Sequence, residues 1–139
     1  MSLEENKELV RRFVAAGWSA AGLNPDALDE IVAPDFTDHS ASPDLTPGLV
    51  AYKLFVKSWH SSFSNMTHTT LHLLAEGDKV VEHWSATAKH TGEFMGIPAT
   101  NKEGGTQGIS TYLIENGKIK IRWGNADDLG MMRSLGVIP

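Results

Sequence analysis

The apolar residues of this chain change their spacing halfway along, and that change limits the fold more than any single motif. From Leu3 to Ala21 they recur as Leu9, Phe13, Ala16 and Ala20, with Val10, Val14 and Trp18 alongside. Spacing by three and four builds one broad helical face, which Gly22 closes. Asn24-Pro25 opens a second helix carrying Leu28, Ile31 and Val32, with Asn24 as N-cap and Pro34 as the stop. Thr46-Pro47 repeats the cap-plus-proline signal before a third helix with Leu49, Tyr52, Phe55, Val56, Trp59 and Phe63 on its face. The segment Asp35 to His39 between them has no helical period and reads as a short strand or a loop.

Beyond residue 66 the period shortens to two. Thr67–Glu76, Lys79–Thr91, Gly105–Glu115 and Lys118–Ala126 read as strands rich in Val, Ile, Thr and Trp. Glu76-Gly77-Asp78 and Glu115-Asn116-Gly117 are sharp hairpin turns, and Asn-Gly is a strong two-residue turn signal. Gly92 to Gly104 reads as a long connection, and Asp128 to Leu135 as a short last helix. Helices followed by a meander of long strands predict an α+β fold, a curved antiparallel sheet wrapped on helices with a cavity at its mouth. No repeat or linker divides the 139 residues, so the expectation is one domain, 1–139.

Composition removes several functions. A net charge of −5 without a basic run argues against nucleic acid as a partner. With no cysteine there is no disulfide and no thiolate nucleophile or ligand. No apolar run approaches the roughly 18 residues of a membrane helix, and the start MSLEENKELV lacks a signal-peptide core. The expectation is a soluble cytoplasmic protein with no membrane partner. Six histidines are present, but none has dependable metal-ligand spacing; His68 and His72, four apart, lie in a strand-like region. No metal or other cofactor is expected.

The polar candidates for chemistry are few. In the last strand Ile119, Ile121, Trp123, Asn125 and Asp127 form one alternating row, and Lys118, Lys120, Arg122, Gly124, Ala126 and Asp128 the other. If the first row faces the core, Asp127 ends it as a desolvated carboxylate suited to acid/base work. The other reading makes Asp127 the N-cap of the last helix, and the residues by themselves leave both open. Val80, Glu82, Trp84, Ala86, Ala88 and His90 look like the buried row of their strand, while His83, Ser85 and Thr87 face outward. For Gly105–Glu115 the pattern does not choose between the row with Gln107 and Thr111 and the row with Ser110 and Tyr112. His39 is a pocket or loop residue, and tryptophans such as Trp59 and Trp123 would suit flat hydrophobic ligands if they share a cavity.

Taken in order, several segments resemble one family. They are Val32-Ala33-Pro34-Asp35-Phe36-Thr37-Asp38-His39, Ala75-Glu76-Gly77-Asp78-Lys79-Val80-Val81 and the run Lys89 to Thr100, KHTGEFMGIPAT. Asn116-Gly117-Lys118-Ile119 follows, then Trp123, Asp127, Leu129-Gly130 and Leu135-Gly136-Val137. From about Val10 to Val137 the chain resembles the SnoaL-like polyketide cyclases, also called ester cyclases. The resemblance implies the nuclear transport factor 2-like cone of helices and curved sheet, a homodimer joined through the sheet's outer face, and a cofactor-free enzyme. Its aspartate acts as acid and base in an intramolecular aldol condensation of a small hydrophobic carbonyl compound, and the family pattern puts that aspartate at Asp127. His39, His90, Gln107, Thr111, Trp123, Trp59 and Phe13 are the expected ligand contacts. Isomerisation or epoxide hydrolysis on the same fold, and a non-catalytic ligand-binding or oligomerisation module, are the alternatives. The chain departs from the pattern at Leu113, where relatives often carry a polar residue, at Arg122, where glutamate is common, and at Phe63-Ser64-Asn65.

Overall fold

The computed structural model describes residues 1–40 and 48–139. Helix α1, Leu3–Trp18, starts at a capping box in which the Ser2 hydroxyl accepts from Glu5 N–H and the Glu5 carboxylate accepts from Ser2 N–H. It ends three residues before the sequence pattern suggests. Helix α2, Pro25–Ile31, has the expected Asn24 cap, whose side chain accepts from Ala27 N–H. Strand β1, Val32–Asp38, follows at once. Pro34 therefore sits in a strand, which is tolerated because β1 is at the edge of the sheet. Helix α3 runs Leu49–Ser62; its expected Thr46-Pro47 start lies outside the described residues.

Four long strands complete the sheet: β2 Phe63–Glu76, β3 Lys79–His90, β4 Glu103–Glu115 and β5 Lys118–Ala126, before helix α4, Asp128–Ser134. Their order is β1-β5-β4-β3-β2, antiparallel except for β1, which runs parallel to β5 and makes the sheet mixed. Strand β2 begins four residues earlier than predicted, because α3 passes directly into it at Phe63. The Asn116-Gly117 turn has φ of 53° and 73°, the left-handed pair that a tight hairpin needs. No helix among the described residues is long and apolar enough to cross a membrane.

Two irregularities in register decide which side chains face the helices. In β4–β5, Leu113 pairs with Ile121 but Ile114 pairs with Ile119, so Lys120 is an extra residue and the strand turns over around it. Lys120 points out, where it pairs with Asp35 of β1. In β2, the pairing slips between Thr70 and His72, so His68 and Thr70 face inward on one side of the slip and Leu73 and Ala75 on the other.

The inner face packs in two clusters. Leu9, Phe13, Leu28, Ile31, Phe36, Tyr52, Val56, Tyr112 and Ile119 join α1–α3 to one end of the sheet. Phe63, Met66, Met131 and Leu135 join α4 to the other end, and Trp18 packs against both. The only two tyrosines of the chain, Tyr52 and Tyr112, are buried in the first cluster. Burial pushes both phenols above their ordinary pKa of 10.0. A phenol held protonated in the fold stabilises it fully below about pH 10, and that contribution is lost as pH rises further. Absorbance at 295 nm is expected to show no tyrosinate until circular dichroism reports cooperative unfolding. Tyrosine ionising near pH 10 with the fold intact would contradict this burial.

Candidate active site

A cavity of about 450 Å³ opens between the two clusters, walled by α1, α3, β2–β5 and α4. Trp18, Phe55, Trp59, Phe63 and Met131 form its apolar side. The sheet supplies its polar side through Glu82, His68, Ser110 behind Trp84, and Arg122.

Glu82 comes from the inner row of β3, as expected, and is 1% exposed. Its Oε2 accepts from Thr70 Oγ1 at 2.6 Å and lies 3.0 Å from His68 Nε2. Its Oε1 has no partner among the described residues. The His68 ring stacks on Trp84, with centroids 5.3 Å apart, and its side chain is 10% exposed. A buried carboxylate behind an imidazole orients the ring: with Nε2 donating to Glu82, Nδ1 is the ring nitrogen left with a lone pair. The Trp84 ring reaches over Gly108 of the next strand, where a Cβ would come within 2.5 Å of it.

The Lys120 bulge reverses the reading of β5. Arg122, placed in the solvent row from the sequence, is 8% exposed and lines the cavity with Gly124, Ala126 and Asp128. Its NH1 donates to both oxygens of Asp38, at 3.1 and 3.3 Å, and to Ser40 Oγ; its NH2 donates to Ser110 Oγ at 3.1 Å. Asp38 also accepts from Ser40 N–H at 3.0 Å. The guanidinium lies 6.0 Å from the centre of the Tyr112 ring.

For the same reason Trp123 and Asp127 do not face inward. Trp123 is on the outer face, stacked on His39 with centroids 5.6 Å apart. Asp127 is exposed and caps α4: its Oδ1 accepts from Gly130 N–H at 2.8 Å. Gly130 is needed there, since a Cβ would sit 2.3 Å from the Asp127 carboxylate. The placement of Asp127 in a buried row is thus corrected, and the capping alternative describes its geometry.

Of the other expected contacts, His39 and Trp59 line the cavity. Phe13 stands one layer back, its ring 5.4 Å from Tyr112 and 5.2 Å from Tyr52. His90 is fully buried but serves the 91–102 connection. Its Nδ1 accepts from Thr100 N–H at 3.3 Å, and its ring stacks on Phe63. Gln107 and Thr111 belong to the outer row of β4, where Gln107 is exposed. Leu113 shares that row, so the missing polar residue at 113 is not missing from the cavity. Sequence reasoning did not select His68, Arg122, Ser110 or Tyr112 as site residues; the signals available were the undecided Ser110–Tyr112 row of β4 and Arg122 as a departure from the family pattern. No group of three or more His, Asp or Glu is placed to hold a metal among the described residues.

Asp127→Ala is expected to lower stability by about 1 kcal/mol in urea unfolding, the usual cost of an N-cap. Asp128→Ala, in the exposed first turn, should cost roughly a few tenths. Equal effects of the two would contradict the cap.

The comparisons with known proteins agree with this architecture. A family model described as SnoaL-like polyketide cyclase matches residues 8–135. TsrD from Streptomyces laurentii has a similar structure, with a TM-score of 0.88 and 26% identity, covering 99% of each chain. A candidate polyketide cyclase from Acidithiobacillus ferrooxidans is 28% identical over 100% of both chains, with a TM-score of 0.83. A candidate SnoaL-like polyketide cyclase from Jannaschia covers 98% of this chain and 94% of its own at 22% identity and a TM-score of 0.84, a likeness of fold. A search of curated proteins finds no match. With the family model spanning residues 8–135, nearly the whole sequence, the chain belongs to the SnoaL-like polyketide cyclase family.

Proposed function

We propose that this protein is an acid/base enzyme that closes rings on a small hydrophobic carbonyl compound of the polyketide type. One observation carries the reading: the Glu82–His68 pair on the wall of an aromatic-lined cavity. His68 Nδ1 removes a proton from the carbon beside a carbonyl. The resulting enolate carbon attacks a second carbonyl of the same molecule, and the imidazolium returns its proton to the new alkoxide. Glu82 stabilises the imidazolium between the two steps. This sequence needs no metal or organic cofactor, because the only species passed to the protein is a proton.

Family pattern points instead to Asp127, and the two assignments separate by mutation. The probe is a hydrophobic β-keto ester that bears a second carbonyl within the same molecule. His68→Gln is expected to lower kcat by roughly 10²–10⁴-fold, the usual contribution of a positioned base. Asp127→Asn should keep most of kcat and, because asparagine caps a helix about as well as aspartate, most of the stability too. The reverse result would move the base to Asp127. Tight binding without turnover in the wild type would make the protein a ligand-binding module.

We further propose a homodimer through the outer face of the sheet. Leu74, Val81, Thr111 and Trp123 lie side by side across four strands. Leu74 is 66% and neighbouring Ile109 53% exposed. A band of this kind on a sheet, with three of its four side chains apolar, is favourable to cover. Sedimentation equilibrium is expected to show a dimer that Ile109→Lys weakens. A monomer for the wild type at micromolar concentration would remove the proposal.

A further inference from the structure

Arg122 is buried with one carboxylate partner, Asp38, and not all of its donors are used. A guanidinium has five N–H donors. Among the described residues NH1 spends both of its hydrogens on Asp38 and Ser40, NH2 spends one on Ser110, and Nε has no partner. One NH2 hydrogen and the Nε hydrogen are therefore without a hydrogen-bond partner among the described residues. Asp38 does not claim them: both of its oxygens meet the guanidinium through NH1.

The surroundings hold the guanidinium in this place. Its plane lies over Gly124, where a Cβ would come within 3.1 Å of NH1, NH2 and Ser40 Oγ. Ser110 is pinned from the other side by Trp84 Nε1–H at 3.1 Å. A donor group fixed by neighbours on both sides is pre-organised for an acceptor, and a charged, buried donor favours an anionic one. Trp18, Phe55 and Trp59 on the opposite wall leave the rest of the cavity to a flat apolar body.

We propose that Arg122 is a ligand-binding residue that recognises an oxyanion on a flat hydrophobic molecule, either a carboxylate or the enolate of a 1,3-dicarbonyl. The inference uses the same cavity as the proposed ring closure but does not depend on His68 acting as a base. An enolate oxygen held at Arg122 would also narrow the substrate class to carbonyl compounds acidic enough to enolise.

Three probes of similar shape test it by isothermal titration: 2-naphthoate, its neutral isostere 2-naphthamide, and 4-hydroxycoumarin, an enolised 1,3-dicarbonyl. The wild type is expected to bind at least one anion about tenfold or more tightly than the amide. Tighter binding of naphthoate identifies a carboxylate ligand; tighter binding of hydroxycoumarin identifies an enolate. Removing Arg122 alone would strand Asp38 in the interior, so the pair is removed together as Asp38→Asn with Arg122→Met. That protein should bind the amide as before and lose the preference for anions. Gly124→Ala, which displaces the guanidinium while keeping its charge, should weaken the preference if the double variant does not fold. Equal affinity for the amide and both anions in the wild type overturns the proposal. So does failure of both anions to bind, or a preference that survives in Asp38→Asn/Arg122→Met. Loss of ring closure with the anion preference intact would instead count against the catalytic reading and leave this one standing.

Discussion

A single unpaired residue, Lys120, sets the chemistry of the cavity. Without it, β5 would carry Trp123 inward and leave Arg122 in water. With it, the strand turns over, and a charged side chain enters the interior beside Tyr112. A buried charge is costly unless it is paired and hydrogen-bonded. Asp38 meets that condition from β1, and Ser110 from β4. The ion pair thereby also fastens the edge strand β1, whose register against β5 is irregular, to the middle of the sheet.

The cavity exists because the two apolar clusters do not merge. The first cluster fills the end of the cone where α1–α3 meet the sheet, and the second is closed by the short helix α4. Trp18 touches both and Trp59 leans on Phe63 and Phe94, so bulky aromatic rings span the gap without filling it. Polar residues on the sheet side are then desolvated but not packed over. That arrangement lets His68 be held by Glu82 and still present one nitrogen. Asp127 acts on this cavity at one remove: it starts α4, and α4 contributes Asp128 and Met131 to the wall.

The sequence was legible where structure is local. The α1 and α2 faces, the Asn24 cap and the two hairpin turns follow from side-chain spacing and backbone preference within a few residues, and the structure has them. The inner row of β3, with Glu82, was legible too, because its pairing with β4 is regular throughout. Reading failed where strands meet irregularly. Alternation assumes an unbroken period of two, and the slips at Lys120 and between Thr70 and His72 are properties of a strand pair, not of one strand. Leu113 lost its significance for the cavity for a related reason: which row of β4 faces inward depends on the helices it packs against.

The sequence by itself determined an α+β chain, its turns, its apolar faces and, through ordered motifs, its family. These rest on interactions between near neighbours, which composition and spacing encode directly. Only the tertiary structure decided which ionisable groups share the cavity. His68 and Glu82 are 14 residues apart and Asp38 and Arg122 are 84 apart. Bringing them together needs the register of several strands at once, and one extra residue in a strand is enough to exchange an aspartate for an arginine on the inner face.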